Sequence, residues 1–265
     1  MKLHFRFENH NAVRTLVLLH GFMGRSGDWH FLAKRLTECC NVLLVDLPAH
    51  GKSLAHDDEA SQAWEIFFGE LDGILQKLRL KHICLLGYSM GGRLALQWAV
   101  NNPQRTEKLI LESANPGIAN AEERRLRLQN DLALSAKMQS PEFDFERFLK
   151  DWYAQPLFAN LNRHPAFADL LRQRLQNDPL RLAWALNAFS VGRQENIWPR
   201  LADMRQPTLL ICGAADEKYM RISERMQRCN PKFKRQVAEH CGHNVHFENP
   251  EWFARQVTTF CTQAP

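Results

Sequence analysis

The chain has 265 residues, of which 45% are hydrophobic and 24% charged, a balance that suits one large domain carrying an insertion and excludes a disordered or fibrous protein. No window approaches the roughly 18 apolar residues of a membrane span. The opening residues MKLHFRFENHNAVRTLVLL lack the apolar stretch and small-residue cleavage site of a secretion signal, so a cytoplasmic protein without membrane contact is expected. The formal net charge is +5, yet acidic residues are interspersed nearly everywhere and only EERRLR (Glu122 to Arg127) is densely basic. That excludes the basic stripe of a nucleic-acid binder and leaves an acidic small molecule as the expected partner.

In chain order, LHFRF reads as an antiparallel edge strand. Apolar runs rich in β-branched residues then alternate with helical periodicity: TLVLLHG and DWHFLAKRL, NVLLVDLP and SQAWEIFFGELDGILQKL, HICLLGY and SMGGRLALQWAV. KLILESA, PTLLICGAAD and KRQVAEH supply later strands, and PEWFARQVTTFCTQ closes the chain as an amphipathic helix with Pro250 near its start. This alternation predicts an α/β fold with a mostly parallel sheet flanked by helices. It stops between Ala114 and Pro199, where the sequence is helical and rich in arginine, Trp, Phe and Leu. The expected organisation is a core of residues 1–114 and 200–265 interrupted by a helical cap of residues 115–199. Seven cysteines, without a C-x-x-C pair, read as reduced thiols, and no His or Cys cluster has metal-ligand spacing.

The chemistry concentrates at strand ends. Gly87-Tyr88-Ser89-Met90-Gly91 fits G-x-S-x-G between a strand and a helix, the setting in which a strained turn holds a serine hydroxyl out at the sheet edge. Small residues are needed there because the turn brings backbones together. Leu19-His20-Gly21-Phe22 ends an earlier strand, and the N–H of Phe22 with that of Met90 would form an oxyanion hole. The order serine, acid, histidine is completed by Asp216, just past the TLLIC strand, and by a histidine in HCGHNVHFENP. His240 and His246 compete for that last position; a Gly-His pair directly after the strand favours His243. Asp46 in DLPAHGKS precedes the serine and reads as part of a structural turn. Arg93 lies four residues past Ser89, on nearly the same helix face, within reach of an anionic group near the serine.

HGF, DLPAHGKS, GYSMGG, CGAAD and CGHNVHFENP stand in the order of the α/β-hydrolase superfamily, which the chain resembles over nearly its whole length. GYSMGGR, ERRLRLQND, DWYAQPLF and SVGRQ further resemble the 2-succinyl-6-hydroxy-2,4-cyclohexadiene-1-carboxylate synthase branch of menaquinone biosynthesis. This resemblance implies a lyase that eliminates pyruvate from a tricarboxylate without metal or cofactor. It also implies substrate-binding roles for Tyr88, Arg93, Arg127, Trp152 and Arg174. A monomer or weak dimer is expected, though the motifs do not distinguish the two. Most of the many cap arginines, among them Arg125, Arg172, Arg181 and Arg193, read as solvated helix faces or carboxylate partners, while their number in one cap suggests an active-site mouth built for carboxylates. A carboxylesterase or thioesterase using an acyl-serine is the competing expectation, and a binding protein that keeps the fold without catalysis is a third.

Overall fold

The computed structural model describes residues 1–55 and 57–263. Seven strands form one sheet: β1 (Phe5–Glu8), β2 (Arg14–Leu19), β3 (Cys40–Val45), β4 (Ile83–Tyr88), β5 (Thr106–Glu112), β6 (Thr208–Gly213) and β7 (Lys234–Ala238). Their spatial order is β1-β3-β2-β4-β5-β6-β7, with β1 antiparallel to β3 and every other pairing parallel. The chain therefore crosses over between strands through helices, and the strands are buried on both faces. Alternation along β2 shows the two faces directly: Leu16 and Leu18 pack into one core with Trp29, Leu32 and Phe253, whereas Val17 and Leu19 join Phe67, Leu94 and Trp98 on the other side.

Helices α1 (His30–Leu36), α2 (Ala63–Lys77) and α3 (Met90–Asn101) follow β2, β3 and β4. Both α1 and α2 begin later than their apolar patterns suggest, because Ser26–Trp29 and Asp57–Gln62 form 3-10 turns. The edge strand also starts later than LHFRF implies. His4 keeps one rung, its carbonyl accepting the N–H of Asp46 at 3.0 Å, but its own N–H leaves the ladder and donates to Ser53 Oγ at 2.8 Å.

Between β5 and β6 lie only helices: α4 (Ala121–Met138), α5 (Phe145–Tyr153), α6 (Ala159–Asn162), α7 (Phe167–Arg174) and α8 (Pro179–Ala188). They pack around Leu149, Leu161, Leu170 and Leu182, a cluster that also takes in Met23 and Phe22 from the loop after β2. The two connections to the core are stitched to one another. Ile197 N–H donates to the Pro116 carbonyl at 2.7 Å, Gln194 Nε2 to the Asn115 carbonyl at 2.9 Å, and Trp198 Nε1 to the Gly117 carbonyl at 2.9 Å. The chain ends through α9 (Glu217–Cys229), a four-residue α10 (Val245–Glu248) absent from the sequence expectation, and α11 (Pro250–Thr262). No helix among the described residues is long and apolar enough to cross a membrane.

Candidate active site

Ser89 stands between β4 and α3 at φ 49° and ψ −107°, a conformation that residues with a side chain rarely adopt. The turn is possible because its neighbours are bare. A Cβ on Gly87 would overlap the backbone of Gly91, and one on Gly91 would overlap the carbonyls of Leu19 and His20. The Ser89 N–H donates to the carbonyl of Glu112 at 2.9 Å, anchoring the turn to β5.

His243 follows β7, and its Nε2 lies 3.1 Å from Ser89 Oγ, while its Nδ1–H donates to Asp216 Oδ2 at 2.7 Å. Asp216 caps α9 by accepting the N–H of Tyr219, and both it and His243 are buried. The rings of Tyr219 and Tyr88 pack against His243 at 4.7 and 5.5 Å between centroids. Of the competing histidines, His240 is exposed, and His246 is bound to Glu112 instead. Asp46 accepts the N–H groups of Ser26 and Lys52, at 2.7 and 3.0 Å, as a turn-former does.

The loop carrying Phe22 is held from both sides by imidazoles. His20 Nδ1–H donates to the Gly21 carbonyl at 2.7 Å, and its Nε2 accepts the N–H of Leu47 at 2.9 Å. His50 Nε2 accepts the N–H of Met23 at 3.1 Å, and its Nδ1–H donates to the Pro48 carbonyl at 2.9 Å. These backbone bonds fix the neutral Nδ1–H tautomer of each ring. Burial lowers the pKa of both, that of His50 to about 3.

Ser89, His243, Phe22 and Met90 open onto a cavity of about 390 Å³ under the cap. Tyr88, Arg93, Arg127, Trp152 and Arg174 all line it, and Lys218, Asn115, Asn130 and Asn244 add further polar groups. The three arginines differ. Arg174 is buried and paired in both Nη positions with Asp28, at 3.1 and 2.7 Å. Burial works against its charge, but Asp28 and Tyr153 outweigh that and raise its pKa. Arg127 sits at the rim with Asp131, its Nε 2.9 Å from each carboxylate oxygen. Arg93 is buried, donates from Nη2 to the Phe189 carbonyl at 2.8 Å, and forms no ion pair among the described residues. Burial brings its pKa down to about 10. Other cap arginines are held by partners outside the cavity. Arg125 pairs with Glu122, Arg172 with Asp169, Arg193 with Asn187, and Arg181 binds the carbonyls of Gly51 and Ser53, so none of them lines the cavity. Acids and amides within one or two helical turns, or the neighbouring core loop, claim them first.

The model of the alpha/beta hydrolase family matches residues 16–256. A Bacillus subtilis protein provisionally named 2-succinyl-6-hydroxy-2,4-cyclohexadiene-1-carboxylate synthase is 33% identical over 260 residues, 96% of this chain and 93% of its own. The synthase of that name from Serratia proteamaculans is 32% identical, with 92% of each chain covered. The structure of MenH from S. aureus superposes with a TM-score of 0.90 at 33% identity, covering 98% of this chain and 97% of its own. The chain belongs to this synthase family, within the α/β hydrolases.

Tyr219, three residues past Asp216 on the helix after CGAAD, escapes the reading of motifs, while its neighbour Lys218 is one that the family resemblance points to without securing. Burial, then Arg127, lowers the pKa of Lys218. Asp28, Glu112 and Glu248 carried no signal, since their partners are distant in sequence or form no motif.

Proposed function

We propose that this enzyme eliminates pyruvate from 2-succinyl-5-enolpyruvyl-6-hydroxy-3-cyclohexene-1-carboxylate, giving 2-succinyl-6-hydroxy-2,4-cyclohexadiene-1-carboxylate, with Ser89, His243 and Asp216 as its proton-transfer machinery. The observation that carries this reading is Arg93: a buried guanidinium with no carboxylate partner among the described residues, lining the same cavity as Ser89. An uncompensated buried charge is costly unless something anionic occupies the site during function. The substrate carries three carboxylates, and Arg127, Arg174 and Lys218 line the same cavity.

In the proposed mechanism Ser89 Oγ passes its proton to His243 Nε2 and removes the ring proton α to the succinyl ketone. Asp216 holds the imidazole in the tautomer that can accept this proton and stabilises the imidazolium. The N–H groups of Phe22 and Met90 face the enolate oxygen. The electron pair moves through the ring double bond, the bond between the ring carbon and the enolpyruvyl oxygen breaks, and pyruvate leaves as its enolate, which takes up a proton. No acyl-serine forms. We place the enzyme in the cytoplasm, a reading supported by its cysteines, all of which are free thiols.

The test is pyruvate release by the wild type beside Ser89→Ala. Release well above the spontaneous rate, lost in the variant, supports the lyase. A wild type that releases none while turning over simple esters with a trappable acyl-serine overturns it in favour of a carboxylesterase or thioesterase.

A further inference from the structure

Glu112 ends β5 without exposed surface, after the apolar residues Leu109, Ile110 and Leu111. Its two ends face two different parts of the site. The backbone carbonyl accepts the N–H of Ser89 at 2.9 Å. The carboxylate accepts twice from His246: Oε1 takes the backbone N–H at 2.9 Å and Oε2 takes Nδ1–H at 2.7 Å. His246 stands three residues beyond His243 and is wedged between the rings of Trp29 and Tyr88, with centroids 4.4 and 4.8 Å away.

A second carboxylate grips the same loop. Glu248 accepts the N–H of Gly242 at 2.6 Å and that of Asn244 at 3.2 Å, the two residues flanking His243. Gly213, at the end of β6, has no Cβ to collide with the carbonyls of Cys241 and Gly242, so the loop lies flat against the sheet.

We infer that Glu112 is a positioning residue that sets the separation of Ser89 and His243, holding the serine turn through its carbonyl and the histidine loop through His246. Ser89 and His243 are 154 residues apart in the chain, and Glu112 is hydrogen-bonded to both segments. A wholly buried carboxylate is retained at a strand end where an apolar residue would cost less. Transfer of a proton across the 3.1 Å between Ser89 Oγ and His243 Nε2 tolerates little drift, since a misplacement of about 1 Å costs on the order of 100-fold in rate. The inference rests on the proposed roles of Ser89 and His243.

The experiment compares wild type, Glu112→Gln, His246→Gln, the double variant and Ser89→Ala in three measurements. These are steady-state pyruvate release, the rate at which a fluorophosphonate labels Ser89, and thermal unfolding. Labelling depends on the Ser89–His243 pair and needs no carboxylate substrate. For Glu112→Gln the expected result is cooperative unfolding, KM within about twofold, and kcat and labelling rate both lowered by about 10- to 100-fold. His246→Gln, which keeps the backbone N–H, is expected to show the same pattern and serves if the first variant does not fold. The double variant is expected to be no worse than either single one, because the two residues act as one arm. Unchanged kcat and labelling per folded molecule, a change in KM alone, or losses that multiply in the double variant each overturn the inference. If Ser89→Ala keeps releasing pyruvate while Glu112→Gln slows labelling, the proposed chemistry fails and the positioning role stands.

Discussion

The Nη2 of Arg93 donates to the Phe189 carbonyl at 2.8 Å, while its Nη1 is buried without an acceptor among the described residues. One half of the guanidinium is thus spent on holding the side chain still, and the other is left for a ligand. Such an arrangement weakens the empty protein and favours an anion-bound one.

Arg93→Met therefore separates stability from activity. The apolar replacement removes a buried, unpaired charge, so thermal unfolding is expected at the same or a higher temperature. Loss of a charge-assisted contact of about 2–3 kcal/mol lowers kcat/KM about 30- to 150-fold. Differential scanning calorimetry beside pyruvate-release kinetics checks both halves; a variant that is less stable and fully active contradicts the assignment.

Arg174 is expected to behave in the opposite way. Its guanidinium is committed to Asp28, so Asp28→Asn leaves a buried cation without its carboxylate and costs about 3–5 kcal/mol of stability. The double change Asp28→Leu with Arg174→Met recovers much of that loss. Chemical denaturation of the wild type, Asp28→Leu, Arg174→Met and the double variant measures the coupling, and additive effects would show that the pair is not a unit.

Acid sensitivity follows from His20 and His50. Burial lowers both folded-state pKa values, whereas unfolding returns each ring to an ordinary value near 6.5. Below pH 6.5 the unfolded chain binds more protons than the folded one, so stability falls as pH falls. For His50 the slope approaches about 1.4 kcal/mol per pH unit over a window that extends down to its folded value of about 3, and His20 adds in the same direction. Urea midpoints between pH 7 and pH 4 are expected to drop, and the drop should be shallower in His50→Asn.

Gly87→Ala tests the serine turn. The new methyl group must displace the backbone of Gly91, so a loss of about 2–4 kcal/mol and of nearly all activity is expected. Gly73→Ala, in α2, where an added Cβ meets nothing within 4 Å, provides the contrast: a gain of about 0.5–1 kcal/mol and unaltered kinetics.

What could be read in advance divides by sequence distance. The strands, the serine turn and Arg93 were legible because their signals are local: apolar periodicity, glycine spacing, and a four-residue helical offset. The pairings of Arg125 with Glu122 and Arg172 with Asp169 were equally local, three residues apart on helices. Such local pairs are what leave Arg93, Arg127 and Arg174 as the arginines of the cavity. Arg174 and Asp28 lie 146 residues apart, and Glu112 and His246 lie 134 apart. Such pairs exist only once β2, β5 and the cap are assembled, and no periodicity in one segment announces its partner. The short helix after His243 was missed for a related reason, since its His246 is held by Glu112 from another strand and its Glu248 reaches back to the N–H groups of Gly242 and Asn244 before it.

The stitched connections at Asn115–Gly117 and Gln194–Trp198 make the intervening helices, for the polymer physics of folding, a single closed loop. Closure entropy grows only with the logarithm of loop length, about 0.6 kcal/mol for each doubling. As far as closure is concerned, the core is therefore nearly indifferent to how many residues hang between these two points, provided that a partner for Asp28 is kept. A lineage can lengthen, shorten or rebuild the roof over Ser89 while the floor beneath it folds as before, which lets one scaffold be refitted to a new substrate by changing a single contiguous stretch of gene.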